Sequence, residues 1–230
     1  MDDDASAGGC GIYGKLPSKR DFIAVRIAGP VLTLIEHWLQ GGVAASRNAM
    51  GGRWQETYLT APIWRFWLGE QVAGTFCVGA VMPSVDGVGR YFPLTILSHG
   101  RPGMALLPPL DDDLDGWFTE IEARLLSALD PGLTLDAYGL LHGQRDALAF
   151  AEAPLEMRAQ SLRRGMIWAT ERDQGTDSAP SGDRDEDYRI AAQTRTYWWT
   201  GGGDRFGPRF YSHPGMPDPA FFSALITGDT

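Results

Sequence analysis

The sequence predicts an α+β protein: a mixed or mainly antiparallel sheet of about five to seven strands, flanked by helices on both faces. Three observations carry this. Three strand-like segments between residues 63 and 98 follow one another with no helical pattern between them, which argues against a doubly wound parallel sheet. One of them, 74–82, is apolar on both sides, so both faces of the sheet must be covered. Segments with apolar residues at helical spacing lie before and after this block.

Taken in order, residues 1–9 read as a disordered acidic leader. Ile12 and Tyr13 form a short strand bounded by Gly11 and Gly14. After Gly29 and Pro30, the residues Val31, Leu32, Leu34, Ile35, Trp38 and Leu39 share one helical face, which Gly41 and Gly42 are expected to weaken or end. In 63–68, Trp64, Phe66 and Leu68 lie on one side. In 74–82, Phe76, Val78, Ala80 and Met82 face one way and Cys77 and Val81 the other, so this strand is expected to be central. Pro83 ends it, a turn-rich stretch follows, and a strand over 91–98 makes a hairpin. Asp111, Asp112 and Asp113 offer caps for the clearest helix, in which Leu114, Trp117, Phe118, Ile121, Leu125 and Ala128 recur. Pro131 and Gly132 stop it. The stretch 133–164 suits helix but is interrupted by Gly143 and Pro154. Strand candidates at 166–170 and 193–200 flank an acidic segment, 171–187, expected to be a mobile loop. Asp218 caps a last helix whose apolar face is Phe221, Phe222, Leu225 and Ile226. The whole of 10–230 is read as one domain.

Composition narrows the function. The chain has 230 residues and 43% hydrophobic residues, and its eight Trp and ten Phe predict a core dominated by rings. Its net charge of −9 is concentrated in two places. Asp2, Asp3 and Asp4 give −3, and 171–187 gives −5 from seven acids and two Arg. No basic stripe stands out, which excludes nucleic acid as a partner and disfavours an anionic membrane surface. The N-terminus has no secretory signal pattern, and no apolar run is long enough for a membrane span, so a cytoplasmic protein without membrane insertion is expected. Cys10 and Cys77 are read as buried thiols of a reducing compartment.

Each candidate for chemistry is incomplete. Gly9–Lys15 matches the glycine and lysine spacing of a phosphate-binding loop, but Leu16 stands where a magnesium-holding hydroxyl is needed and Pro17 follows. His37, His99, His142 and His213 are scattered and form no paired metal-ligand motif. Neither cysteine has an activating neighbour pattern. Catalytic, cofactor and metal residues are therefore expected to be none. Two sets remain as a polar network or interaction surface. The first is Lys19, Arg20 and Asp21 with Asp86 and Arg90, where an Arg–carboxylate pair would be bidentate and would fix a loop. The second is Trp198 and Trp199, adjacent on a strand and therefore facing opposite sides. A hydrolase using Asp21 or Asp86 with a distant histidine, or a nucleotide or phosphate sensor, stands as the alternative.

Four ordered blocks resemble the TagF family of bacterial type VI secretion. Gly11-Ile12-Tyr13-Gly14-Lys15-Leu16-Pro17 with Asp21-Phe22 is similar to its opening motif, and Trp38-Leu39 to its helix. Ala61-Pro62-Ile63-Trp64-Arg65-Phe66 matches its A-P-x-W-R-F. Met82-Pro83-Ser84-Val85-Asp86 with Gly89-Arg90-Tyr91-Phe92-Pro93-Leu94 matches its M-P-S-x-D-x-x-G-R-x-[FY]-P-L. The second half resembles the family more weakly, through Trp198-Trp199-Thr200 and Gly215-Met216-Pro217. The resemblance implies a cytoplasmic, non-enzymatic repressor that acts after translation on a scaffold protein carrying a forkhead-associated domain. Some members are fused to a PP2C-type phosphatase, whose metal-binding aspartate pattern this sequence lacks. The family has no established catalytic residues to carry over.

Overall fold

The structure, a computed structural model, describes residues 9–101, 114–130 and 193–229. Its centre is one seven-stranded sheet in the order β2-β1-β5-β4-β3-β6-β7, with every pair antiparallel. The strands are β1 (Gly9–Lys15), β2 (Phe22–Val25), β3 (Trp64–Leu68), β4 (Cys77–Met82), β5 (Leu94–His99), β6 (Arg195–Thr200) and β7 (Arg209–Pro214). The helices are α1 (Gly29–Met50), α2 (Trp54–Leu59), α3 (Glu70–Ala73), α4 (Asp115–Ser127) and α5 (Phe222–Thr227).

Strand alternation sorts the core into two layers. Trp64, Phe66 and Leu68 of β3, with Cys77 and Val81 of β4, face α1, α2 and α5. Trp67, Val78, Ala80 and Met82 face the opposite way, against Trp117, Phe118, Ile121 and Leu125 of α4. β4 is the central strand and all six of its residues are buried, as its two-sided apolar pattern requires. Rings fill the α1 side: Trp38 stacks on Trp198 at 4.7 Å and Trp54 on Tyr58 at 4.6 Å. Three of the indoles on this side find partners, with Trp38, Trp54 and Trp64 donating to the Pro217 carbonyl, the Ser46 hydroxyl and the Leu225 carbonyl at 2.7–2.8 Å.

Several local readings are corrected. α1 does not end at Gly41 and Gly42 but runs through them to Met50. Here the pair marks a helix crossing, because a Cβ on Gly42 would lie 2.6 Å from that of Phe222 and one on Gly41 would lie 3.0 Å from that of Pro219. Asp218 does cap the C-terminal element, accepting from the Ala220 amide at 2.8 Å, but what it caps is a 3-10 turn, Pro219–Phe221, that leads into α5. The connection after β4 is longer than a tight hairpin: strand pairing resumes at Leu94, and the loop between closes through a bridge from Val85 to Tyr91. β2 and β7 are edge strands the pattern did not show, because four and six residues with mostly exposed side chains leave little alternation to read. Gly9, placed in the leader by sequence, opens β1. Residues 1–8, the caps at Asp111, Asp112 and Asp113, the stretch 133–164, the strand candidate 166–170 and the acidic segment 171–187 lie outside the described residues.

Candidate functional site

The most densely bonded polar group lies where β1 ends against the loop between β4 and β5. From Ile12 to Leu16 the chain is apolar except for Lys15, the last residue of β1, whose side chain is buried. A buried ammonium needs a counter-charge, and Asp86 supplies it. Lys15 Nζ lies 2.5 Å from Asp86 Oδ2, and Arg90 Nε donates to the same oxygen at 2.6 Å. Oδ1 accepts the Val88 and Arg90 amides at 3.1 and 2.8 Å. The Asp86 side chain is fully buried. Burial alone would raise its pKa. The bonds from Lys15, from Arg90's backbone and side chain and from the Val88 amide outweigh that and hold the carboxyl well below the usual carboxylate range.

The group extends into the main chain. Ser84 Oγ donates to the Lys15 carbonyl at 2.8 Å, and the Tyr58 hydroxyl both donates to the Ser84 carbonyl and accepts from its amide. The Gly87 amide donates to the Lys19 carbonyl at 2.8 Å, and Arg90 Nη2 donates to that of Arg20. The turn after β1 and the loop after β4 are thus tied together through one carboxylate. Beside them an open cleft of about 490 Å³ runs between β2, α1 and Tyr91-Phe92, with Lys15, Phe22 and Arg47 among its lining residues.

The residues singled out by sequence divide in this frame. Asp86 and Arg90 come together, though through Nε alone and not as a bidentate pair, because backbone amides occupy the second oxygen. Arg20 contributes its carbonyl while its side chain is exposed, and Asp21 is exposed with no ion pair among the described residues. Trp198 is buried in the α1-side core; Trp199 is partly buried on the other side, edge-on to Phe118 at 5.0 Å. Lys15, Ser84 and Tyr58 were missed as members of the network. The signal for Lys15 was legible: a lone cation inside an apolar strand requires a buried acid. Arg65 plays a similar part for α4, with Nε and Nη1 at 2.6 Å from Glu122 and Asp115.

Of the other candidate side chains, Cys10, Cys77 and His99 are buried, His37 and His213 are exposed, and His142 lies outside the described residues. Gly9–Lys15 is a strand paired on both edges, so its amides serve the ladder and cannot wrap a phosphate. Both cysteines are free and buried, and burial pushes the Cys10 thiol up to about 12. His99 is buried, accepting the Ala28 amide on Nε2 at 3.2 Å with Nδ1 3.2 Å from the Gly100 carbonyl, which fits the neutral Nδ1–H tautomer. Burial lowers its pKa against the opposing effect of backbone bonds at Gly100 and Arg26. A histidine depressed in the fold binds its proton more readily when unfolded. Its contribution is therefore fully present above the unfolded value, about 6.5, and is lost as pH falls below it. Urea midpoints should accordingly decline between about pH 7.5 and 5.5, and less steeply in His99→Gln, whose amide does not titrate.

Fold and site together define a class: an antiparallel α+β domain whose buried charges are committed to loop architecture and whose open feature is a cleft at a sheet edge. The chain belongs to the TagF N-terminal domain family, which is type VI secretion system-associated; the family model matches residues 11–140. Among solved structures, the crystal structure of PA0076 from Pseudomonas aeruginosa PAO1 is similar, with a TM-score of 0.72 and 28% identity over 96% of this chain and 95% of that one. A search of the curated proteins returned no match. No helix among the described residues is long and apolar enough to cross a membrane.

Proposed function

We propose that this chain is a non-enzymatic, cytoplasmic repressor of type VI secretion that acts after translation by binding the scaffold protein bearing a forkhead-associated domain, with 10–230 working as a single domain. Membership of a secretion-associated family is the observation that carries it. The geometry supports it in a second way. Asp86, which a hydrolase reading would use as a general base, is held ionised by two cations, and His99 spends both ring nitrogens on the backbone. Deleting the gene should raise secretion of the tube protein, and the scaffold should co-purify with the tagged chain. Unchanged secretion together with no co-purification would sink the reading.

A further inference from the structure

We propose that the open edge of β2 docks an extended, acidic segment of a protein partner by strand addition, with one apolar side chain of that segment over Phe22. This rests on the regulator reading above and names its surface. Among the described residues β2 pairs only with β1 and ends the sheet, so one line of its main-chain donors and acceptors is unused. Its side chains split by face. Ile23 and Val25 pack against the α4-side core, while Phe22 is 48% exposed. The Phe22 ring is held in place, stacked on Tyr13 at 6.0 Å and edge-on to Phe92 at 4.8 Å, and it lines the 490 Å³ cleft beside α1. A fixed, half-exposed ring next to a free strand edge offers a pocket for alternate side chains of an added strand.

Charge selects the occupant. Lys19 and Arg20 precede β2 and Arg26 follows it, against the single acid Asp21. Lys19 and Arg20 are exposed and make no ion pair among the described residues. Of the nearby acids, Asp86 is neutralised by Lys15 and Arg90, while Glu36 keeps its charge and accepts only the Tyr13 hydroxyl and the Gln40 amide. A second copy of β2 is a poor occupant. Antiparallel pairing in full overlap would set Arg26 opposite Asp21, but it would still bring together two segments that each carry Lys19, Arg20 and Arg26 against one acid, and parallel pairing would set each cation beside its like; both are net repulsive. An acidic strand is attracted in either direction.

The test uses the full chain with two labelled decapeptides, one alternating Glu and Val and one alternating Lys and Val, read by fluorescence anisotropy and by hydrogen exchange at residues 22–25. The Glu-Val peptide should bind in a salt-sensitive way, alternate amides of β2 should gain protection, and the Lys-Val peptide should not bind. Lys19→Glu/Arg20→Glu, which changes exposed side chains only, should weaken binding about tenfold or more. Equal binding by this variant, equal binding of the Lys-Val peptide, protection elsewhere, or no binding at all overturns the proposal. Co-purification of the scaffold separates it from the regulator reading. If parent and variant capture the scaffold equally, the surface is wrong and the regulator reading stands. If the parent captures none and deletion leaves secretion unchanged, the regulator reading fails and the peptides alone decide the edge.

Discussion

Gly14→Ala is expected to cost the fold about 4 kcal/mol, combining roughly 1–3 kcal/mol of backbone strain with a similar overpacking term. Gly14 has φ +131°, a region that side-chain-bearing residues rarely adopt, and a Cβ there would sit 2.0 Å from the Pro93 carbonyl oxygen. The obstacle is main chain, flanked by Leu94 Cα at 2.9 Å, so no side-chain rotation relieves it. β1 and β5 would have to part at the end where Lys15 enters the loop. A melting temperature lower by about 10 °C should follow for a chain of this size. A loss under about 1 kcal/mol in urea titration would mean the two strands can separate there without consequence.

Lys15→Met is expected to destabilise by about 3 kcal/mol, the low end for breaking a buried pair, because Arg90 still reaches the abandoned carboxylate. The informative comparison is the double variant. Asp86→Asn keeps the shape of the side chain but removes the charge, so Lys15→Met/Asp86→Asn should be more stable than Lys15→Met alone. A double-mutant cycle by urea denaturation measures this coupling, and additive losses would show that the two side chains act independently. The same comparison distinguishes architecture from chemistry: a structural clamp moves stability and loop order, and leaves scaffold capture intact wherever the variant is folded.

Much of the sheet was legible because burial on two sides leaves its mark on residue type. β4 and β3 could be read face by face, since a central strand has no solvent to blur its pattern. The edges were not. β7 exposes most of its side chains and β2 shares its four residues between core and solvent, so neither carries a period. Gly41 and Gly42 misled for a different reason. Glycine lowers helix propensity, but a long-range contact with Pro219 and Phe222 overrode that local cost, and such contacts are invisible in a local window. At the candidate site the sequence singled out Asp86 and Arg90, which the structure brings together, and Asp21, which it leaves exposed. Asp21 stands next to a conspicuous cluster of charges yet is exposed, whereas Lys15, hidden in a failed nucleotide motif, is the partner that matters.

The strand order also has a temporal meaning. Residues 9–99 contain five neighbouring strands, β2-β1-β5-β4-β3, so this partial sheet has all its members before β6 has been translated. β3 then waits with one ladder unpaired while nearly another hundred residues leave the ribosome. Its Trp64, and Trp38 on α1, wait too, since their indole partners are the carbonyls of Leu225 and Pro217. Vectorial synthesis therefore leaves the nascent chain with a sticky aromatic face that the last segment seals, and a truncated product would carry that face exposed to chaperones and proteases.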